Sequence, residues 1–113
     1  MITAWDSLFY LIAAHFLCDY ALQSDAMARE KSRWSTTELQ KYVPWYHWLT
    51  GHALIHGGAV MLVLCDIRLA IAEVVVHWVT DYIKCGKRIG IVVDQAIHLS
   101  AKLLWIAIAY WMW

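Results

Sequence analysis

The chain has 113 residues, room for one domain and one core. It is 62% hydrophobic with a formal net charge of zero, which excludes a broad basic surface for nucleic acid. Its three cysteines show no CxxC spacing, which excludes a zinc ribbon and a disulfide framework, and a single proline leaves no linker or disordered tail.

Four apolar runs follow one another, at 4–22, 46–65, 68–85 and 91–112. Each approaches the roughly 20 residues that cross about 30 Å of hydrocarbon. The expected fold is therefore all-α: a polytopic membrane protein, a four-helix transmembrane bundle forming one domain over 1–113. A soluble four-helix bundle is disfavoured because no run has a polar outer face. The first run lacks a basic leader and a small-residue cleavage site, so it reads as a retained span and not a signal peptide. After it come Arg29, Lys31, Arg33 and Lys41. Within that loop "STTE" (Ser35–Glu38) reads as a capping box ahead of a short interfacial helix ending before Pro44. Trp45, Tyr46 and Trp48 open the second run, with His47 among them as an interface residue. Gly51, Gly57 and Gly58 would let that helix approach its neighbours closely. Lys84, Lys87 and Arg88 separate the third and fourth runs, and Tyr110, Trp111 and Trp113 close the fourth. Only Arg68 lies on the opposite side, so the positive-inside tendency places both basic loops in the cytoplasm and both termini in the periplasm.

Each run also carries an i, i+4 pair of the His/Asp type. "AAHFLCDYALQ" sets His15, Asp19 and Gln23 four apart. "HALIH" supplies His52 and His56, "HWVTDYIK" supplies His77, Asp81 and Lys84, and "DQAIH" supplies Asp94, Gln95 and His98. Residues four apart share a helix face. Counted from the basic end at about 1.5 Å per residue, Asp19, Asp81 and Asp94 fall roughly 5–6 Å deep, with His15, His77 and His98 roughly 10–12 Å deep. The His/Asp order reverses in the fourth run, as an antiparallel arrangement requires. One polar chamber is expected.

Ionisable groups in an apolar setting need pairing, hydration or a ligand. A divalent metal, zinc first and manganese or magnesium as alternatives, would satisfy imidazoles and carboxylates together. The expected ligands are His15, His52, His56, His77 and His98 with Asp19, Asp81 and Asp94, and those carboxylates double as candidate general bases. Gln23, Lys84 and Gln95 are expected to hold substrate. One step deeper, Glu73 and Lys102 extend two of the stripes to equal depth and are expected to form a structural ion pair. Cys18 reads as packing, and Cys85 is a marginal further ligand.

The ordered set "HFLCDYALQ", "HALIH", "HWVTDYIK" and "DQAIH" resembles the small membrane proteins of the domain of unknown function 3307 family. That resemblance covers most of the chain and implies a bacterial or phage-encoded inner-membrane protein, without implying an activity. A looser likeness is to membrane-embedded metal-dependent hydrolases. The expected function is hydrolysis of a lipid-like phosphate or ester at the cytoplasmic membrane face, since zinc makes water nucleophilic near neutral pH. Proton or metal-ion transport, and a phage accessory role binding a host membrane partner, are the alternatives. Membrane lipids are the expected partners, and a homodimer is plausible because four spans make a thin wall.

Overall fold

The computed structural model describes residues 2–112; Trp113, expected to close the fourth run, lies outside them. The order is α1 (Ala4–Phe16), a π-helical turn (Leu17–Ala21), α2 (Asp25–Glu30), a 3-10 turn (Glu38–Lys41), α3 (Trp45–Leu64), α4 (Ile67–Cys85), α5 (Ile91–Ala107) and a second π-turn (Ile108–Met112). The long helices, taken with the π-turns that extend α1 and α5, follow the apolar runs within a residue or so, because no proline interrupts those runs.

Local chemistry sets the ends. Thr3 and Asp6 form a capping box: Asp6 N–H donates to Thr3 Oγ1 at 3.1 Å, and Thr3 N–H donates to Asp6 Oδ2 at 2.8 Å. The box expected at Ser35–Glu38 does not form. Thr37 precedes the 3-10 turn without capping it, and its hydroxyl donates to Glu30 at 2.6 Å. The expected interfacial helix is thus reduced to four residues, and the helix actually present in this loop is α2, capped by Ser24, which accepts from Met27 N–H at 3.1 Å. Buried Glu30 organises the loop by also accepting from Gln40 Nε2 (2.7 Å) and Arg29 Nε (2.7 Å). The Thr37 hydrogen bond, followed by that from Arg29, holds its carboxyl down at about 2.

Helices α3 and α4 make the most extensive pair and are joined by a tight reversal. Cys65 adopts φ 53°, the left-handed position usual after a helix end, and Asp66 caps α4 by accepting from Arg68 N–H at 2.9 Å. Gly57 permits the approach. A Cβ there would fall 2.3 Å from Val74 Cγ2 and 2.9 Å from the Ala70 carbonyl, whereas Gly58 has open space. Gly57→Ala is expected to cost about 1–3 kcal/mol through overpacking. Gly58→Ala is expected to gain about 0.5–1 kcal/mol from helix propensity. Chemical unfolding of the two variants reads the difference, and equal effects would contradict this packing.

The four-span reading is corrected. Among the described residues only Ile91–Met112 is long and apolar enough to cross a membrane, at 22 residues and a mean hydropathy of 1.5. The reason is the polar load of the others. The α1 helix and its π-turn contain Asp6, His15 and Asp19; α3 contains three histidines and three glycines; α4 contains Arg68, Glu73, Asp81 and Lys84. The fold is all-α, but not a four-span bundle.

The interior has two layers. At the end formed by the start of α1, the last turns of α3, the first of α4 and the last of α5 lies an apolar core of Leu11, Val60, Leu69, Ala101, Trp105 and Ile106. At the other end the interior is polar: His15, Asp19, His52, His56, His77, Asp81, Asp94 and His98 are all buried. Large apolar side chains such as Trp5, Phe9, Leu54, Leu62, Ile71, Val92 and Leu103 face outward.

Candidate metal centre

Four helices deliver the cluster, each through its own i, i+4 pair. On α1, His15 Nε2 is 3.3 Å from Asp19 Oδ2. Asp19 lies in the π-turn, where Leu22 N–H reaches back five residues to the Leu17 carbonyl (2.9 Å); such turns recur at functional sites. On α3, His52 and His56 place Nε2 at 3.2 and 2.9 Å from Asp19 Oδ1. On α4, His77 Nε2 lies between two carboxylates, 3.6 Å from Asp81 Oδ2 and 3.8 Å from Asp19 Oδ1. On α5, His98 Nε2 is 3.3 Å from Asp81 Oδ1 and 3.2 Å from Asp94 Oδ1. The rings of His56, His77 and His98 stack in series, with centroids 3.6 and 4.1 Å apart.

Two groups of donor atoms fall close enough together to hold an ion: Asp19, His52, His56 and His77, and then His77, Asp81 and His98. His77 belongs to both, and both of its ring nitrogens are buried without a hydrogen-bond partner. His15 and Asp94 stand beside these groups and not within them. Glu73 lies behind His77, with Oε1 3.6 Å from Nδ1. Lys102 donates to Glu73 as a buried ion pair, and Trp105 Nε1 donates to its other oxygen at 2.6 Å.

The residues expected to hold substrate separate. Gln95 enters the network: its Oε1 faces His15 Nε2 at 2.9 Å, and its Nε2 donates to Asp19 Oδ2 (3.0 Å) and Asp94 Oδ2 (3.1 Å). Lys84, partly exposed, reaches Asp94 Oδ2 at 3.5 Å. The Gln23 side chain turns back to donate to the Asp19 carbonyl at 2.9 Å. His47 is exposed against Tyr46, Cys18 is buried and Cys85 half-buried, none within either donor group.

Sequence reasoning missed two participants. Lys31 is buried and donates to Asp81 Oδ2 at 2.5 Å; read as one more loop cation, it gave no sign of folding back. Trp105 continues the 94, 98, 102 stripe by three residues, a signal that was present in the spacing.

Charge can now be accounted for. In this layer the carboxylates Asp19, Glu73, Asp81 and Asp94 meet the ammonium groups of Lys31, Lys84 and Lys102. With every imidazole neutral, one negative charge stays unbalanced, and burying it unpaired is costly. One imidazolium would balance it, whereas a divalent cation would more than balance it and leave one positive charge for an anionic ligand. Mixed nitrogen and oxygen donors suit a borderline divalent ion such as zinc.

The sequence profile of the family described as protein of unknown function (DUF3307) matches residues 7–113, and the chain belongs to that family. No curated protein and no solved structure matches it.

Proposed function

We propose that this DUF3307 protein is a metal-dependent hydrolase that works at a membrane and acts on a lipid-like phosphate or ester. The observation that carries the reading is His77, whose Nε2 faces the carboxylates of both donor groups with no hydrogen-bond partner of its own. A neutral imidazole nitrogen has one lone pair to give. The two groups are therefore alternative homes for a single ion. The group of three, His77, Asp81 and His98, leaves a coordination position for substrate or water, the usual mark of a catalytic site.

A divalent ion held there supplies Lewis acidity and a nucleophilic water at neutral pH. The chain's own groups divide the remaining work. Glu73, fixed by Lys102 and Trp105, stands 3.6 Å behind His77 Nδ1 and would orient a ligating His77 on closing to hydrogen-bond distance, as a carboxylate behind such a histidine commonly does. Asp94 stays outside both donor groups, with its Oδ1 buried 3.2 Å from His98 Nε2, which suits it to accept a proton. Lys84 and Gln95, at the less buried edge, are placed to hold an anionic oxygen of the substrate.

Ile91–Met112 would hold the protein at the membrane, and the apolar side chains facing outward favour lipid as its surroundings. An apolar groove of about 590 Å³ between α1 and α3, lined by Leu17, Cys18, Leu22, Ile55 and Met61, would suit an acyl or isoprenoid chain beside Asp19. A transport path is disfavoured because the polar layer ends at Glu73, Lys102 and Trp105, beyond which lies the apolar core. A bacterial inner-membrane setting belongs to this same proposal.

The test is turnover. Purified protein loaded with zinc or manganese in detergent is offered phosphatidic acid, an isoprenoid phosphate and a lipid ester, with released phosphate or fatty acid measured. Metal-dependent release that Asp94→Asn suppresses is expected. A folded, metal-loaded protein that turns over none of the three would contradict the reading.

A further inference from the structure

Next to Asp81 along α4, the loop after α2 and the end of α4 form a surface cavity of about 430 Å³, lined by Arg33, Trp34, Tyr82, Ile83 and Arg88. Elsewhere the arginines have carboxylates: Arg29 pairs with Glu30 and Arg68 with Asp66. Among the described residues neither Arg33 nor Arg88 makes an ion pair with a carboxylate, yet both guanidinium-bearing side chains line this one cavity. Like charges gathered around one space repel unless an anion lies between them.

The cavity is built, not incidental. Arg33 Nη1 donates to the Tyr82 hydroxyl at 2.8 Å, which fixes the guanidinium and leaves the phenol's own proton available to a further acceptor. The Trp34 ring lies against the end of α4 because residue 86 is glycine: a Cβ there would fall 2.8 Å from Trp34 Cη2. The chain then reverses through Lys87 at φ 58°, which brings Arg88 round to the cavity. Trp34, Trp45 and Trp78 all stand 5.5–5.7 Å from Tyr82, ring centre to ring centre.

We propose that Arg33, Arg88 and the Tyr82 hydroxyl form a binding site for a phosphate group. Guanidinium forks match phosphate oxygens in pairs, and the phenol supplies a further donor. The wall of tryptophans is the kind of surface found at the headgroup level of a membrane, so the phosphate can arrive on a lipid headgroup or as a free ion. The site is independent of the metal reading, since none of its residues belongs to either donor group.

The full-length protein in neutral detergent is titrated calorimetrically with inorganic phosphate and, separately, with short-chain phosphatidic acid, each with and without EDTA so that binding through a metal is told apart. Binding that persists in EDTA and weakens roughly tenfold or more in Arg33→Gln/Arg88→Gln is expected, as is intermediate weakening in Arg33→Lys/Arg88→Lys, which keeps charge but loses the fork. Response to both probes identifies a free-phosphate site, and response to phosphatidic acid alone identifies a headgroup site. Gly86→Val, which displaces Trp34, is expected to weaken binding with both arginines intact. No binding of either probe, or equal binding by the folded double glutamine variant, would overturn the proposal. If Arg88 serves only the α4 terminus, its loss lowers the unfolding temperature and leaves the titrations unchanged, which also overturns it.

Discussion

Lys102→Met is expected to lower the unfolding free energy by about 3–5 kcal/mol, the usual consequence of stranding one member of a buried ion pair. Glu73 and Lys102 are 1% and 2% exposed, so water cannot take the place of the missing partner. Trp105 Nε1 would still donate to Glu73, but one neutral donor does not compensate a buried carboxylate. Glu73→Gln in the same chain removes the charge that the lysine balanced, and the double variant is expected to recover most of the loss. Denaturant unfolding of both singles and the double gives the coupling directly. A double variant no more stable than Lys102→Met would show that the pair does not hold α4 to α5. Because Glu73 also backs His77, both singles are expected to weaken metal binding roughly 10–100-fold.

The second large effect falls on His77 itself. His77→Gln keeps a polar side chain of similar reach between the stacked His56 and His98 rings but removes the imidazole shared by both donor groups. Zinc affinity, measured by competition with a chromophoric chelator, is expected to fall by more than the roughly 10–100-fold typical of losing an outer-shell partner. His15→Gln is the contrast, since His15 belongs to neither group. It is expected to lose less than His77→Gln, no more than the roughly 10–100-fold of an outer-shell change. Equal losses in the two variants would mean that the ion, if bound, sits elsewhere among the five imidazoles.

The positions of the helices and the faces they share were legible because both are local. Apolar runs without breakers specify α1, α3, α4 and α5, and a four-residue step keeps His15 with Asp19, His77 with Asp81 and Asp94 with His98 wherever the helix is regular. The reversal of the His/Asp order on α5 signalled that these pairs meet at one level. That regularity stops before Gln23: a π-turn over Leu17–Ala21 has no periodic signature in the sequence. Lys31 was missed because a loop folding back into a core is a tertiary event, decided by the Glu30 hydrogen bonds and by Asp81, 50 residues further along the chain. The number of membrane spans was overcounted for a different reason. Run length was weighed more heavily than the polar residues within the runs, and those same residues build the candidate site while leaving, among the described residues, only Ile91–Met112 long and apolar enough to cross a bilayer.

The measurement closest to the central claim is the metal-to-protein ratio of the purified, folded chain, by elemental analysis after incubation with zinc or manganese and removal of the excess. About one equivalent per chain is predicted, since the shared His77 nitrogen can serve one ion at a time, and it should be lost in His77→Gln. A folded protein that retains no metal under these conditions would contradict the metal centre and leave a protonated imidazole as the balance for the buried carboxylates.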